Sequence, residues 1–272
     1  MKKKLFTLLL ALVAIATTAQ ENTINGHEYV DLGLPSGTLW ATCNVGAEKP
    51  GDYGDYFAWG ETKGYKDGKS NFSWNTYKWC NGWYNKLIKY CNKSEYGNYI
   101  FTDSKVELDY EDDAAYINWG NPWRMPSFEQ IKELIDNCNW EWTMLNGVYG
   151  RKATSKKNGN TIFLPAVGWR DYTWKSTDAY TYFWSRSLYI RVSSCAYNLN
   201  ISHGQQSCDY QARCAGLCVR PICLKNNPPT NIEIIKYDTL CYGNWYSIDG
   251  KRLSGEPKNT GLYIRNGKKI VK

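Results

Sequence analysis

The segment 185–224 contains no lysine, glutamate, methionine or tryptophan. The whole chain of 272 residues has 24 Lys, 12 Glu, 3 Met and 13 Trp, so a stretch of this length would carry about 7 or 8 of them in proportion. Most of the segment consists of Ser, Cys, Tyr, Asn, Arg, Ala, Ile, Asp, His and Gly. Its composition therefore differs from that of the remaining chain and needs an explanation.

Side chains for acid–base and nucleophilic catalysis are also scarce. The chain has only two histidines, so a site built on histidine as general base has few candidates. His27 belongs to a predicted first strand, and His203 to a predicted turn without an acidic partner close by. The patterns GxSxG and HExxH and a phosphate-binding loop are absent. We expect no enzymatic activity and no catalytic residues.

Metal-binding patterns are missing as well. Five aspartates could offer oxygen ligands to calcium, but no D-x-D-x-D-G loop contains them: Asp52, Asp55, Asp109, Asp112 and Asp113. Four cysteines late in the chain lack the tight paired spacing of structural zinc sites: Cys208, Cys214, Cys218 and Cys223. We expect neither a bound metal nor a cofactor.

The N-terminus resembles a secretory signal peptide over residues 1–19. Lysines at positions 2, 3 and 4 precede an apolar run, and the small residues "TTA" end before Gln20. Without these three lysines the formal net charge falls from +7 to +4, and no basic stripe remains. This balance argues against nucleic acid as a partner. No later segment is apolar enough to span a membrane.

The ten cysteines permit disulfides in an exported protein, but the sequence does not pair them. No CxxC motif and no regular spacing are present. Cys195 shares strand parity with Tyr197, Leu199 and Ile201, so it could equally be a small buried hydrophobic residue. Both interpretations of the cysteines stay open at this point.

The remaining patterns predict an α+β chain with one or two helices and short antiparallel strands. The stretch "MPSFEQIKELIDNC" predicts a helix in which Ser127 and Gln130 form a capping box. "DYEDDAAYINWG" predicts a shorter helix with acidic residues in its first turn and Gly120 as its stop. From residue 140 onward, short strands are predicted in "WTMLNGVYGRKATS", "NTIFLPAVGW", "YTYFWSRS", "CAYNLNIS" and "GLCVRPICL". We place a domain over 20–224, a linker over 225–230 and a small β module over 231–272.

Several phrases in series resemble the Fibrobacter succinogenes major paralogous domain family. They are "EYVDLGLPSGTLWATCNVGA", "GDYGDYFAWGET", "DDAAYINWGNPWRMPSFEQIKEL", "GNTIFLPAVGWR", "FWSRSL" and "GLCVRPI", and they cover roughly residues 28–224. The resemblance implies a C-type-lectin-like fold with irregular loops, and it implies no defined enzymatic activity. Formylglycine-generating enzymes share a related fold, but their motifs are not recognised in this sequence.

The C-terminal stretch "YSIDGKRLSGEPKNTGLYIRNGKKIVK" resembles the C-terminal sorting domain of the type IX secretion system. The resemblance rests on the tight-turn pair Asp249-Gly250, the strand "GLYI" and the closing Lys268-Lys269. It implies the type IX secretion machinery as a partner. It also implies that the protein is secreted or attached to the outer cell surface.

The ten residue types that dominate 185–224 share one genetic property: randomising the first two bases of an Asn codon produces all of them. It never produces Lys, Glu, Met, Trp or Gln, so the three glutamines 205, 206 and 211 must be fixed or count against the idea. Residues 187–223 therefore resemble the variable region of a target of a diversity-generating retroelement. The expected fixed frame is Ser187, Leu188, Ala196, Tyr197, Leu199, Arg213, Gly216, Val219, Arg220 and Pro221.

A face formed by residues 187–215 is the predicted binding surface, because Tyr, Ser, Asn and Arg make adaptable recognition surfaces. The residues expected to be exposed there and to bind ligand are Arg191, Ser193, Asn198, Asn200, His203, Asp209, Tyr210 and Gln211. The favoured function is binding of a protein or glycan on another surface. The alternatives are a structural cell-surface or fimbria-associated component and, less favoured, an enzyme resembling the formylglycine-generating enzymes.

Overall fold

The computed structural model describes residues 22–66, 71–171, 174–175 and 179–225. In the C-terminal part it describes 245–247, 253, 257, 259–265 and 268–271. The predicted signal peptide, the linker after residue 225 and the turn pairs at 249–250 and 266–267 lie outside the described residues. The chain divides into two compact units, residues 1–229 and 230–272.

The chain is α+β with strand as its main regular structure. Within the described residues there are two α-helices, α1 (Ala114–Trp119) and α2 (Phe128–Asn137), and three 3₁₀ turns at Ser94–Tyr96, Asn98–Ile100 and Tyr110–Asp112. The first seven strands are β1 (Thr23–Ile24), β2 (His27–Asp31), β3 (Thr38–Ala41), β4 (Tyr56–Phe57), β5 (Cys138–Leu145), β6 (Val148–Ser155) and β7 (Thr161–Pro165). The next seven are β8 (Trp169–Arg170), β9 (Trp174–Lys175), β10 (Tyr180–Leu188), β11 (Cys195–Ser202), β12 (Gln206–Ala212), β13 (Leu217–Cys218) and β14 (Ile222–Leu224).

Both predicted helices are present, with one correction. In α2 the hydroxyl of Ser127 accepts a hydrogen bond from the N–H of Gln130, and the Gln130 side chain accepts one from the Ser127 N–H. The capping box is therefore confirmed. In the shorter helix, Asp113 is the N-cap and accepts from two backbone N–H groups, whereas Glu111 and Asp112 belong to the preceding 3₁₀ turn. Gly120 ends α1 with a positive φ of 76°.

A five-stranded sheet in the order β12-β11-β10-β13-β4 carries most of the segment 185–224. It is buried on both faces over part of its area. Phe183, Leu199 and Ile201 belong to one core group together with the α2 residues Ile131 and Leu134. A second core group contains Trp184, Leu188 and Ala196 together with Trp59 and Leu108. Strand β11 therefore runs between two cores.

A four-stranded sheet in the order β1-β2-β3-β14 joins the two ends of the first unit. Ile222, Cys223 and Leu224 pair antiparallel with Trp40, Leu39 and Thr38. The segment 185–224 thus leaves the five-stranded sheet and ends beside the first strands of the chain. At its start, β10 pairs with β13, and at its end, β14 pairs with β3. These pairings hold the residues between them in place.

The second unit is a three-stranded antiparallel sheet in its described residues. Its strands are β15 (Trp245–Ser247), β16 (Leu262–Arg265) and β17 (Lys268–Val271), in that order. The register pairs Tyr246 with Ile264 and Tyr263 with Ile270. Across all the described parts of the chain, no helix combines the length and the apolar character needed to cross a membrane.

Candidate functional site

The three strands β10, β11 and β12 present two chemically different faces. Residues that are direct partners across an antiparallel pair lie on the same face of a sheet. One face contains Phe183, Leu199 and Cys208, which are paired in register. The other contains Tyr182, Asn200 and Ser207. Near the turn between β11 and β12, these strands therefore have one apolar face and one polar face.

Helix α2 packs on the apolar face. Ile131 and Leu134 of α2 share a core group with Leu199 and Ile201, and Cys208 and Ala212 pack against that group. At the start of α2, the ring of Phe128 lies 4.3 Å from that of Tyr197. Most of this face is thus committed to the fold.

The opposite side is partly exposed toward the turn between β11 and β12, and we name this region the polar face. Its members are all partly exposed side chains: Tyr180, Tyr182, Asn200, Ser202, Ser207, Asp209 and Gln211. The Nδ2 of Asn200 donates to Oδ2 of Asp209 over 3.4 Å. Burial raises the pKa of the Tyr182 hydroxyl, and the nearby charge of Asp209 raises it further.

Aromatic rings border the polar face on its β10 side. The ring centroids of Tyr180 and Tyr182 are 5.8 Å apart, and Trp169 meets Tyr182 edge-on at 6.4 Å. Such edge-to-face contacts hold large rings in defined orientations. The polar face therefore combines fixed aromatic surface with amide, hydroxyl and carboxylate groups.

The outer strand of the sheet, β12, protects its own edge. The N–H of Tyr210 donates to Oδ1 of Asp209 at 2.8 Å, and the N–H of Ala212 donates to Oε1 of Gln211 at 2.9 Å. These two donors are thus satisfied by side chains of the strand itself. Since unpaired edge donors invite another strand to pair, recognition through the side chains is favoured over strand addition.

Two of the eight predicted binding residues are in fact buried, which corrects the prediction. Ser193 is fully buried, and its hydroxyl donates to Oδ1 of Asn92 at 2.7 Å. Asn198 is fully buried between its cross-strand partners Trp184 and Asp209. Among the described residues, neither Nδ2 nor Oδ1 of Asn198 has a hydrogen-bond partner. These two residues cannot contact a ligand.

The other six predicted residues are accessible but do not form one patch. Asn200, Asp209 and Gln211 lie on the polar face. Tyr210 lies on the opposite side, where its ring stacks on Tyr189 with centroids 4.1 Å apart. Arg191 is exposed in the connection between β10 and β11, and His203 is exposed in the turn between β11 and β12.

The polar face also contains four residues outside the predicted binding set. Tyr180 and Tyr182 precede the predicted region 187–215, and Ser202 and Ser207 lie inside it. The alternation in "YTYF" was the available signal, because Tyr180 and Tyr182 share one parity. What the sequence lacked was the register that places them beside Asn200 and Ser202.

The predicted fixed frame consists mainly of buried residues. Arg213 is fully buried and donates to four oxygens: the Tyr77 hydroxyl at 2.9 Å and the carbonyls of Tyr90, Ser193 and Lys89 at 3.0 Å each. Arg220 is fully buried as well and donates to Oδ1 of Asn44 and to two carbonyls. Tyr197, in contrast, is only partly buried. Gly216 has no room for a side chain, because a Cβ there would lie 2.4 Å from the Phe72 ring.

The cysteines of the described residues are all free, and burial raises the pKa of the thiols in and next to the five-stranded sheet. Burial raises the pKa of the Cys208 thiol to about 11 and that of the Cys214 thiol to about 12. Because the thiolate is the nucleophile and the metal ligand, these thiols are not activated for chemistry. Cys208 and Cys214 pack in the core group that contains Leu199, whereas Cys195 is partly exposed at the start of β11.

The carboxylates that come closest to a metal-binding arrangement are already paired with lysines. Asp109, Glu111 and Asp112 lie together. Lys89 pairs with all three, at 3.0, 3.4 and 2.6 Å, and Tyr90 donates to Asp112 at 2.6 Å. Lys78 and Lys105 add contacts to Asp112 and Asp109. The three carboxylates are therefore balanced by the three lysines Lys78, Lys89 and Lys105.

No family model, no curated protein and no solved structure matches this chain.

Proposed function

We propose that the protein binds a protein or glycan ligand reversibly through the polar face of a C-type-lectin-like domain. The proposal rests on the register of β10–β12. This register places two tyrosines, two side-chain amides and one carboxylate next to one another on an accessible part of the sheet. Tyrosine rings supply rigid contact area, while amides and hydroxyls supply hydrogen bonds that adapt to different ligands. The function requires no bond-breaking chemistry.

The burial pattern supports diversification of this surface. Positions expected to be constant, such as Arg213, Val219 and Arg220, are inaccessible and hold the fold together. Positions of the segment outside this expected frame, such as Asn200, Ser207 and Asp209, are accessible. Asn198 also fits, because a buried amide without partners is a poor choice for stability but a natural result of random drawing. We propose the segment as the variable region of a retroelement target.

The sequence features at the two ends of the chain support the proposed location. The leader-like residues 1–19 and the sorting-like stretch 231–272 fit a protein that is secreted or held at the outer cell surface. A location outside the cell is where a reversible binding surface would meet proteins and glycans of other cells.

Replacing Asn200, Asp209 and Gln211 together by alanine is expected to abolish binding at the polar face. The three substitutions remove the amide and carboxylate groups but leave the cores intact, so the melting temperature is expected to fall by less than about 3 °C. Labelled protein would be measured on a glycan array and, by flow cytometry, on intact bacterial cells. The expected loss of signal is at least about tenfold.

The matched control carries alanine at Asp52, Asn85 and Asn139, which are exposed and outside the polar face. It should bind as the unmodified protein does. Retained binding by the polar-face variant would place recognition elsewhere on the molecule. A large drop in its melting temperature would favour the structural alternative, in which this face packs against a partner subunit.

The diversification proposal predicts a second copy of the coding sequence for residues 187–223 close to the gene. This copy should be near-identical, should carry adenines at the variable codons and should lie beside a reverse transcriptase gene. Sequencing the neighbouring DNA tests both features, and sequencing the gene from many cells should show changes at positions such as 200, 207 and 209 and none at 213 or 220. A genome without any such copy would refute diversification while leaving the binding proposal intact.

A further inference from the structure

A small concavity lies against the segment 71–77. Its volume is about 130 Å³. Aromatic rings and one thiol form much of the lining, and one carboxylate takes part in it: Tyr65, Phe72, Tyr77, Cys214 and Glu61. Asn71 and Thr76 are exposed at its border, whereas Phe72 and Tyr77 are almost completely buried. The concavity therefore has a polar rim and an aromatic floor.

The rings of this concavity are held in fixed orientations. Tyr65 meets Phe72 edge-on at 5.6 Å and 87°. Tyr77 donates its hydroxyl proton to the carbonyl of Trp59 at 2.7 Å and accepts from Nε of Arg213 at 2.9 Å. Gly216 lies directly against Phe72, so the floor is backed by the main chain of the segment 213–216. Such a cavity is preformed rather than assembled when a ligand arrives.

Among the described residues of the lining, Glu61 is the acidic one. Its Oε1 accepts a hydrogen bond from the backbone N–H of Lys78 at 2.8 Å, and it forms no salt bridge within the described residues. Burial raises the pKa of the Glu61 carboxyl, against the opposing effects of the Lys78 N–H and charge. Within the described residues, the Glu61 carboxylate therefore has one backbone donor and no cation within ion-pair distance.

The cations of the surroundings are engaged by other groups. The ammonium of Lys78 pairs with Asp112 at 3.5 Å and lies 4.1 Å from the ring of Trp79. The Arg213 guanidinium is bound to four oxygens and also lies 5.3 Å from the centre of the Tyr77 ring. Lys63 reaches Tyr65 only at 5.8 Å, near the outer limit of a cation–π contact. None of these groups neutralises Glu61 directly.

The size of the concavity limits what it can hold. An apolar cavity of about 150 Å³ accommodates a molecule of the size of benzene. A volume of about 130 Å³ is therefore too small for a whole oligosaccharide or peptide but large enough for one compact head group. Aromatic rings attract cations through their faces, and quaternary ammonium groups are bound in this way.

We propose that this concavity binds a single alkylammonium group, held by the rings of Tyr65, Phe72 and Tyr77 and by the carboxylate of Glu61. The group could belong to a free small cation or to a lysine side chain of a partner protein. Both sources present the same chemistry to the site. The proposal is independent of the polar face and of diversification.

Choline and its neutral isostere 3,3-dimethyl-1-butanol provide the test, because they differ in charge and hardly in shape. Isothermal titration calorimetry of the full chain is expected to show choline binding at least about tenfold tighter than the isostere. In Glu61→Gln the affinity for choline should fall about tenfold, while the affinity for the isostere should change less than about twofold. Gln keeps the acceptor for the Lys78 N–H, so the variant should fold.

The matched control is Glu95→Gln, since Glu95 is exposed and outside the lining; it should bind choline as the unmodified chain does. Short peptides with lysine or trimethyllysine distinguish the sources: a peptide that binds tighter than choline identifies a protein partner, and one that binds no tighter identifies a free cation. Equal binding of choline and its isostere would overturn the proposal. So would the absence of choline binding up to about 50 mM, because a specific site for a ligand of this size should bind at lower concentrations. An unchanged choline affinity in Glu61→Gln would also overturn it.

Discussion

Replacement of Arg213 by methionine is expected to lower the free energy of unfolding by about 4 kcal/mol or more. The fully buried guanidinium donates to the Tyr77 hydroxyl and to the carbonyls of Lys89, Tyr90 and Ser193. Methionine keeps much of the apolar bulk but leaves three carbonyls, two of them in fully buried residues, without this donor, and each loss of a buried partner costs about 1–3 kcal/mol. Denaturant unfolding followed by tryptophan fluorescence measures the difference.

Arg191→Met serves as the matched control, because Arg191 is exposed in the connection between β10 and β11. Its effect on the free energy of unfolding should stay within about 0.5 kcal/mol. A loss below about 1 kcal/mol for Arg213→Met would contradict the proposed role of its hydrogen bonds. Arg213→Lys should also destabilise, since an ammonium cannot reach four oxygens in the geometry of the planar guanidinium.

The second large effect has the opposite sign: Asn198→Leu is expected to raise the free energy of unfolding by about 2 kcal/mol. Leucine has the same branching as asparagine, and the site is fully buried beside Trp184. Burial of the amide costs free energy of desolvation, and no hydrogen bond to a described residue offsets this cost. In a chain of 272 residues, a gain of about 2 kcal/mol in the free energy of unfolding corresponds to a rise of about 4–8 °C in the melting temperature.

Asn200→Leu is the appropriate comparison, because Asn200 is partly exposed on the same strand and its Nδ2 donates to Asp209. No gain in stability is expected there. Destabilisation by Asn198→Leu would show that the buried amide is satisfied in solution, and the argument for a randomly drawn residue at this position would then fail.

Local signals were sufficient to predict the helices and most strands of the first unit. The capping box of Ser127 and Gln130 and the apolar spacing after it define α2 without knowledge of the tertiary structure. Strand β12 was not predicted, because "QSCDYQA" contains one aromatic residue and no β-branched residue. Its seven pairs with β11 impose the strand on a sequence that does not favour it.

Strand parity was predicted correctly, but exposure was not. Asn198 and Asn200 do lie on the same side of β11, as their spacing requires. One is fully buried and the other is accessible, because the second core covers only the part of that side near Trp184 and Ala196. Residues far away in the sequence, such as Trp59 and Leu108, determine which part of this side is buried. The sequence of β11 alone therefore does not predict it.

The hydrogen bonds of Arg213 make the fold tolerant of sequence change. Three of its four acceptors are main-chain carbonyls, which remain available whatever side chain the residue carries. Through the carbonyl of Ser193, the arginine holds the connection between β10 and β11 by a group that mutation of a codon does not alter. The side chains of this connection can therefore change while the backbone keeps its position. Sequence variation at the surface is thus compatible with a constant buried arginine.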